Sequence, residues 1–468
     1  MTPEPHGLEP LVDRPLGAAL FYWHGQPVTA AAFLHDAAVL AEALPDAGHM
    51  VNLCRDRYAF AVAFAAALLR GQVCLMTGDR SAAGLAALTE RFPSAYAAAD
   101  EPACLPMPTC PVRPAGQQPA VCPPALCTKV PLIPARQLAA LVFTSGSTGA
   151  PVVHAKPWGA LVARSRAAAV QFALSKAAPA TVVGTVPPQH MYGFELTVLL
   201  PLHAPAASWC GPAFFPGDVD AALAAVPAPR ILVTTPLQIR AYLHAGTGLP
   251  PMEAAISATA PLDAVLAAEA EARWRAPMLE IFGATEVGSI ASRRTLDGDA
   301  WTAYPGVALR QDAGTTLVSA PWAGPVELAD QIEHLDPAGS AAPQPAGSAA
   351  PQPGRFRLLG RRSDLVKLGG RRASLSGLNR ILLDLEGVAD GAFLAPDDLD
   401  QRATARLTAV VVAPRRSPGS ILAELRGRVD PLFLPRRVIC VDALPRNELG
   451  KLPRQALLAL VARLDPAA

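Results

Sequence analysis

Residues 141–156 read LVFTSGSTGAPVVHAK: an apolar run breaks into hydroxyls and glycines and then meets a proline. The opening run suits a strand, and the Ser/Gly/Thr cluster that follows suits a turn at its end. Small residues there let backbone N–H groups approach an anion, while Thr144, Ser145, Ser147 and Thr148 offer hydroxyl donors to phosphate oxygens. Gly146 and Gly149 supply the close approach. The stretch is not a Walker loop, because no Gly-Lys-Ser/Thr follows at the required offset. By composition alone such a cluster is more often a plain loop, so the order and context of the surrounding segments decide.

Outward from this stretch the chain alternates. Between 138 and 335, short β-rich runs (AALVFTSG, TVVGTV, RILVTT, EAAISA, MLEIFG) take turns with helical stretches, which predicts an α/β fold with helix-wrapped sheets. Ahead of it, HMVNLC reads as a strand and YAFAVAFAAALLRG as a helix. Residues 338–353 repeat AGSAAPQP in tandem, a proline- and glycine-rich composition that cannot support a core and predicts an exposed loop insertion. Beyond GRFRLLGRRSDLVKLGG, LTAVVVAP and RRVICVDAL read as strands and ILAELRGRV and RQALLALVARL as helices, the makings of a small α+β domain. The expected organisation is a large N-terminal domain over 1–359 and a small C-terminal lid over 360–468, in keeping with a chain of 468 residues.

Composition narrows the class. Hydrophobic residues make up 51% and charged residues 17%, which argues for a globular chain. With 40 Lys plus Arg against 39 Asp plus Glu, no global field draws the protein to nucleic acid or to an anionic membrane. The longest apolar run, Ala59 to Leu69, falls short of the roughly twenty residues a spanning helix needs. No export signal is legible at the start, so a cytoplasmic location without membrane insertion is expected. Eight cysteines form no CxxC pair and are expected to be reduced structural thiols.

The motif TSGSTGAP resembles the phosphate-loop signature of the adenylate-forming superfamily, the AMP-binding acyl and aryl acid ligases, and further segments follow in that family's order. LEIFGATEVGS resembles its aromatic-Gly-x-Thr-Glu motif at a strand end. The resemblance implies that Phe282 stacks on adenine, Thr285 bonds the α-phosphate, and Glu286 holds the Mg²⁺ that accompanies ATP. It implies a ribose-binding carboxylate at Asp330 in VELADQIE, a ribose-binding guanidinium at Arg361 in GRRSD, and a catalytic lysine at Lys451 in LPRNELGKLPR. A lysine at that place, delivered by a closing lid, would stabilise charge developing on the phosphoryl and carboxylate oxygens. Two positions depart from the family. Val152 stands where a lysine usually follows the proline, leaving Lys156 as an available phosphate cation, and Ser363 stands at the usual hinge Asp or Lys.

PPQHMYGFE resembles the family stretch whose histidine lies beside the bound carboxylate, making His190 the candidate. SATAPL resembles the strand that walls the nucleotide and acyl sites, with Thr259, Ala260 and Pro261 nearest the ligand. Gly283, Thr234, Thr235 and Met191 are further pocket candidates for an aromatic or short acyl acid. The chain looks most similar to short bacterial ligases of aryl-polyene pigment pathways. That likeness implies adenylation of a carboxylic acid and transfer of the acyl group to the thiol of an acyl carrier protein. CoA is the alternative acceptor, and a catalytically silent nucleotide- or acyl-binding protein of the same fold is the alternative from another class.

Overall fold

The computed structural model describes residues 7–101, 105–114, 129–145, 151–246, 248–312, 315–335, 354–361, 365–368, 371–396, 406–446, 450 and 452–464. The chain divides into two compact units. One comprises Met1–Leu309, Val318–Val326 and Gln344–Arg355; the other comprises Arg310–Leu317, Glu327–Pro343 and Phe356–Ala468. The segment before residue 360 that belongs to the second unit includes the strand Asp330–His334, which pairs antiparallel with Arg355–Arg361. The AGSAAPQP repeat lies outside the described residues.

Two large sheets dominate the first unit, beside the two-stranded pair Leu8–Pro10 and Leu132–Pro134. The smaller has the order Pro151–Pro157, Leu138–Ser145, Val73–Met76, His49–Asn52, Tyr96–Ala99 and Thr109–Pro111; it is parallel except for its edge strand Pro151–Pro157. The larger carries a parallel run in the order Met278–Ala284, Ala254–Ser257, Arg230–Thr234, Ala180–Gly184, Ala206–Trp209 and Ala19–Trp23. Antiparallel strands flank it: Gly288–Arg294 then Ala300–Ala303 on one side, and Gln26–Thr29 on the other.

The helix Arg57–Leu69 is apolar all round and correspondingly buried on nearly every face. Asp56 caps its start, accepting a hydrogen bond from the Ala59 N–H at 2.9 Å and a second from the Trp23 indole at 3.0 Å. Phe64 of this helix meets Phe194 edge-on at 4.9 Å, within a core shared with Phe21, Phe33, Trp158 and Leu202.

The strands expected from the β-rich runs are present, and so is the long buried helix. The regular alternation ends at Trp274, where the helix Ala264–Trp274 stops. From there to His334 the described chain is strand after strand, interrupted by a single 3₁₀ turn at Thr295–Asp297. The expectation of strand–helix alternation through residue 335 is corrected here. Tight connections through Gly288 and Gly298, both at positive φ, return the chain antiparallel beside itself and leave no room for a crossover helix.

In the second unit, Thr408–Val412 is the middle strand of three, antiparallel to Asp390–Leu394 and parallel to Arg437–Cys440. Side chains on successive residues serve opposite faces. Ala409 and Val411 pack with Leu378, Leu382, Ile421 and Leu425, while Val410 packs with Leu457 and Val461. Helices thus cover both faces of this small sheet. Among the described residues no helix is long and apolar enough to cross a membrane. The cysteines described there, Cys54, Cys74, Cys110, Cys210 and Cys440, are all free thiols.

Candidate active site

In an open parallel sheet the loops leaving the C-terminal strand ends are the natural place for a ligand. Here the loops of the larger sheet carry several of the sequence candidates. Ala180–Gly184 leads to Thr185 and on to His190; Arg230–Thr234 leads to Thr235; Ala254–Ser257 leads to Thr259, Ala260 and Pro261; Met278–Ala284 leads to Thr285 and Glu286. Tyr192 ties three of these ends together, its hydroxyl donating to the carbonyls of Thr234 at 3.1 Å and Ile256 at 2.7 Å. Thr234 and Thr235 are themselves buried and engaged. Thr185, Thr234 and Thr235 all bond the Gln238 side-chain oxygen, so they form a polar platform below the pocket candidates rather than its exposed lining.

His190 is half-buried at the start of the short helix Met191–Phe194. Its ring lies against Gly78, where an added Cβ would come within 3.1 Å of the imidazole Cε1. Thr259 holds φ of +79°, a left-handed conformation that a β-branched residue adopts only when its surroundings impose it, as they often do at ligand sites. Ala260 is half-buried and Pro261 exposed. The segment is fastened from below by Glu280, which accepts from the Leu262 N–H at 2.8 Å and pairs with Arg293 at 2.6 Å. Sequence reading missed Glu280, although a carboxylate within an apolar strand is a visible signal that a buried partner exists.

The Thr-Glu motif occupies the tip of a hairpin. Ala284 and Gly288 face each other at the end of the paired strands, and the Val287 N–H closes the turn on the Ala284 carbonyl at 3.1 Å. Glu286 is exposed and Thr285 half-buried. Phe282 sits beside a register shift, its half-buried ring 5.9 Å from that of Trp301, and Gly283 is exposed. An added Cβ at Gly283 would lie 2.6 Å from the Gly288 carbonyl, so the hairpin needs glycine there.

Lys156, read from the sequence as an available phosphate cation, is fixed in regular structure. It belongs to the strand Pro151–Pro157, is 4% exposed, and donates from Nζ to the carbonyls of Thr285 and Glu286, the latter at 2.9 Å. Burial pushes its ammonium down to about 7, with the nearby Arg164 charge adding and Glu286 opposing. Val152, at the family's lysine position, pairs with Thr144 and is 48% exposed; four residue steps along the strand, about 13 Å, separate it from Lys156. Beneath the hairpin tip Arg164 forms a buried ion pair with Glu195, whose second oxygen accepts from the Ser289 hydroxyl at 2.5 Å. None of these partners was singled out in the sequence.

The strand Leu138–Ser145 runs up to the glycine-rich loop, and Ser145 and Pro151 are register partners on its two sides. Thr144 and Ser145 thus stand at the strand end. Gly146, Ser147, Thr148 and Gly149 lie outside the described residues, as do Ser363 and Lys451. In the second unit Asp330 and Arg361 are direct register partners in one hairpin. There too Arg446 makes a bidentate pair with Asp390 at 2.7 Å and donates to the Gly450 carbonyl at 2.8 Å, fixing the chain immediately before Lys451.

The model of the AMP-binding enzyme family matches residues 49–318, more than half of the chain. The chain belongs to that family. Among curated proteins it is 29% identical over 316 residues to a 4-coumarate–CoA ligase of Rhodobacter capsulatus, covering 67% of this chain and 74% of the relative. Among solved structures it is similar to ATP-bound MatB from Rhodopseudomonas palustris, with a TM-score of 0.76, 20% identity and 98% of each chain covered. It is also similar to the o-succinylbenzoate CoA synthetase MenE of Bacillus subtilis in complex with an acyl-adenylate, with a TM-score of 0.76, 17% identity, and 93% and 94% coverage. At those identities the structures establish the shared fold of this AMP-binding enzyme.

Proposed function

We propose that this AMP-binding enzyme uses ATP to adenylate a carboxylic acid and then passes the acyl group to a thiol. The observation that carries the reading is the gathering of His190, residues 259–261 and the Thr285–Glu286 tip at the C-terminal ends of neighbouring parallel strands. In the first half-reaction a substrate carboxylate oxygen attacks the α-phosphorus, the bond to the β-phosphate oxygen breaks, and pyrophosphate leaves. In the second, a thiol adds to the acyl carbon, AMP departs with the former carboxylate oxygen, and the thiol proton goes to solvent.

Thr285 would bond the α-phosphate, Phe282 would border adenine, and the loop 144–149 would receive the β- and γ-phosphates. Asp330 and Arg361, paired in register, are the groups for the ribose hydroxyls. His190 would flank the acid. Glu286 would hold Mg²⁺ together with phosphate oxygens. The donor set fits that ion, since magnesium is commonly bound by one or two carboxylates plus substrate phosphates, and Glu286 offers an exposed carboxylate at the tip. Bound there, the ion neutralises phosphate charge. Residues 360–468 are proposed as a lid that brings Lys451 to the reacting oxygens for adenylation and turns away for thiol attack.

The acid is proposed to be aromatic or short-chain. The likeness to aryl-polyene pathway ligases favours a carrier-protein thiol as acceptor, while the name of the Rhodobacter relative favours CoA for a chain of this kind. The two are separated by incubating the enzyme with ATP, Mg²⁺ and benzoic, hydroxybenzoic, cinnamic or fatty acids, offering either CoA or phosphopantetheinylated carrier protein, and scoring the thioester by mass. Acylated carrier protein is expected. Thioester on CoA alone would assign the second reading.

A further inference from the structure

Resting on the adenylation reading, we infer that Lys156 is a positioning residue that clamps the Thr285–Glu286 turn to the strand Pro151–Pro157. A hairpin tip leaves carbonyls that the ladder cannot use. At this tip three such carbonyls are taken by side chains: Lys156 bonds those of Thr285 and Glu286, and the Trp322 indole bonds that of Val287 at 3.0 Å. Lys156 is 129 residues away in sequence and lies on the strand that immediately follows the glycine-rich loop. One ammonium therefore joins the two segments proposed to share the triphosphate.

The turn is also supported from below. Gly288, with φ of +97°, passes so close to Arg164 that an added Cβ would lie 2.0 Å from its guanidinium. Arg164 is in turn held by Glu195 and, through it, by Ser289. An apolar side chain could fill the volume of Lys156 but would take its donor away from both carbonyls of the turn. Nor does the ammonium approach phosphate itself, since it is buried and already committed to the turn. Its effect on nucleotide must pass through the side chains of Thr285 and Glu286.

The test is Lys156→Met. Calorimetric binding of ATP with Mg²⁺ should weaken by about tenfold or more, the loss of charge-assisted bonds to the turn. The apparent KM for ATP should rise in parallel, while that for the acid stays within about twofold. Trp322→Phe, which frees the third carbonyl without changing charge, should shift ATP binding in the same direction by a smaller factor, and it carries the test if the lysine variant fails to fold. A folded Lys156→Met protein with wild-type ATP affinity, or with equal increases in both KM values, would overturn the inference alone. Wild-type protein that neither binds ATP with Mg²⁺ nor releases pyrophosphate with any acid would overturn the adenylation reading, and this inference with it.

Discussion

Gly288 shows how one missing Cβ shapes the site. It ends the hairpin tip at a positive φ and leaves space into which the Arg164 guanidinium packs. Gly288→Ala combines backbone strain with a clash against a buried charge, and should cost about 2–4 kcal/mol. Gly217, exposed in the helix Pro216–Ala225 with nothing near its missing Cβ, is the control; Gly217→Ala should be neutral or slightly stabilising. Chemical denaturation of both variants checks the contrast, and equal midpoints would contradict it. At this scale the sequence was legible where a motif names its own residues: Phe282, Thr285, Glu286 and His190 all stand at strand ends or loops of one sheet edge. It was not legible where partners are distant. Lys156 reads as an available phosphate cation because nothing in VVHAKP reports that its ammonium meets carbonyls on a hairpin far along the chain. Arg164 and Glu195 carry no local signal of their pairing for the same reason.

Elements with one dominant local signal were read correctly. The helix Arg57–Leu69 declares itself by an unbroken apolar run, and the parallel strands by short β-rich runs. The chain after Trp274 was misread because its turns are local glycine signals, while the absence of helices between them is a property of sheet pairing. Another element carries a pH response. The segment from Met191 ends at His203, whose ring is buried 5.2 Å from that of Trp158. Burial first, then the charge of Arg166, pushes its pKa down from 6.5 to about 4, with Asp13 opposing. Below pH 6.5 the unfolded chain takes a proton that the folded chain refuses until about pH 4, so stability falls with pH across that window, by up to about 3 kcal/mol from this residue. In urea unfolding between pH 7 and 4.5, wild type should lose stability relative to His203→Leu as pH falls. A difference independent of pH would show that His203 titrates alike in the folded and unfolded chains.

For the whole molecule, the division of labour follows from where each unit places its polar groups. The first unit provides a platform of hydrogen bonds, Thr185 to Gln238 and Tyr192 to Ile256, on which the loop candidates stand. The second provides a small sheet covered on both faces, the paired strands of Asp330 and Arg361, and the Arg446 bond to the Gly450 carbonyl just ahead of Lys451. Fold class was readable from alternation and family motifs; the membership of residues 310–317 and 327–335 in the second unit was not, because it depends on pairing across the repeat-bearing segment. The central claim is chemical: the molecule activates a carboxylate by adenylation. It is tested most directly by acid-dependent exchange of labelled pyrophosphate into ATP with no thiol present, across aromatic and short acyl acids. Exchange with at least one acid, absent without acid and strongly reduced in Glu286→Gln, is the predicted result; folded protein that binds ATP yet exchanges no pyrophosphate with any acid would contradict the account and leave a nucleotide-binding protein without catalysis.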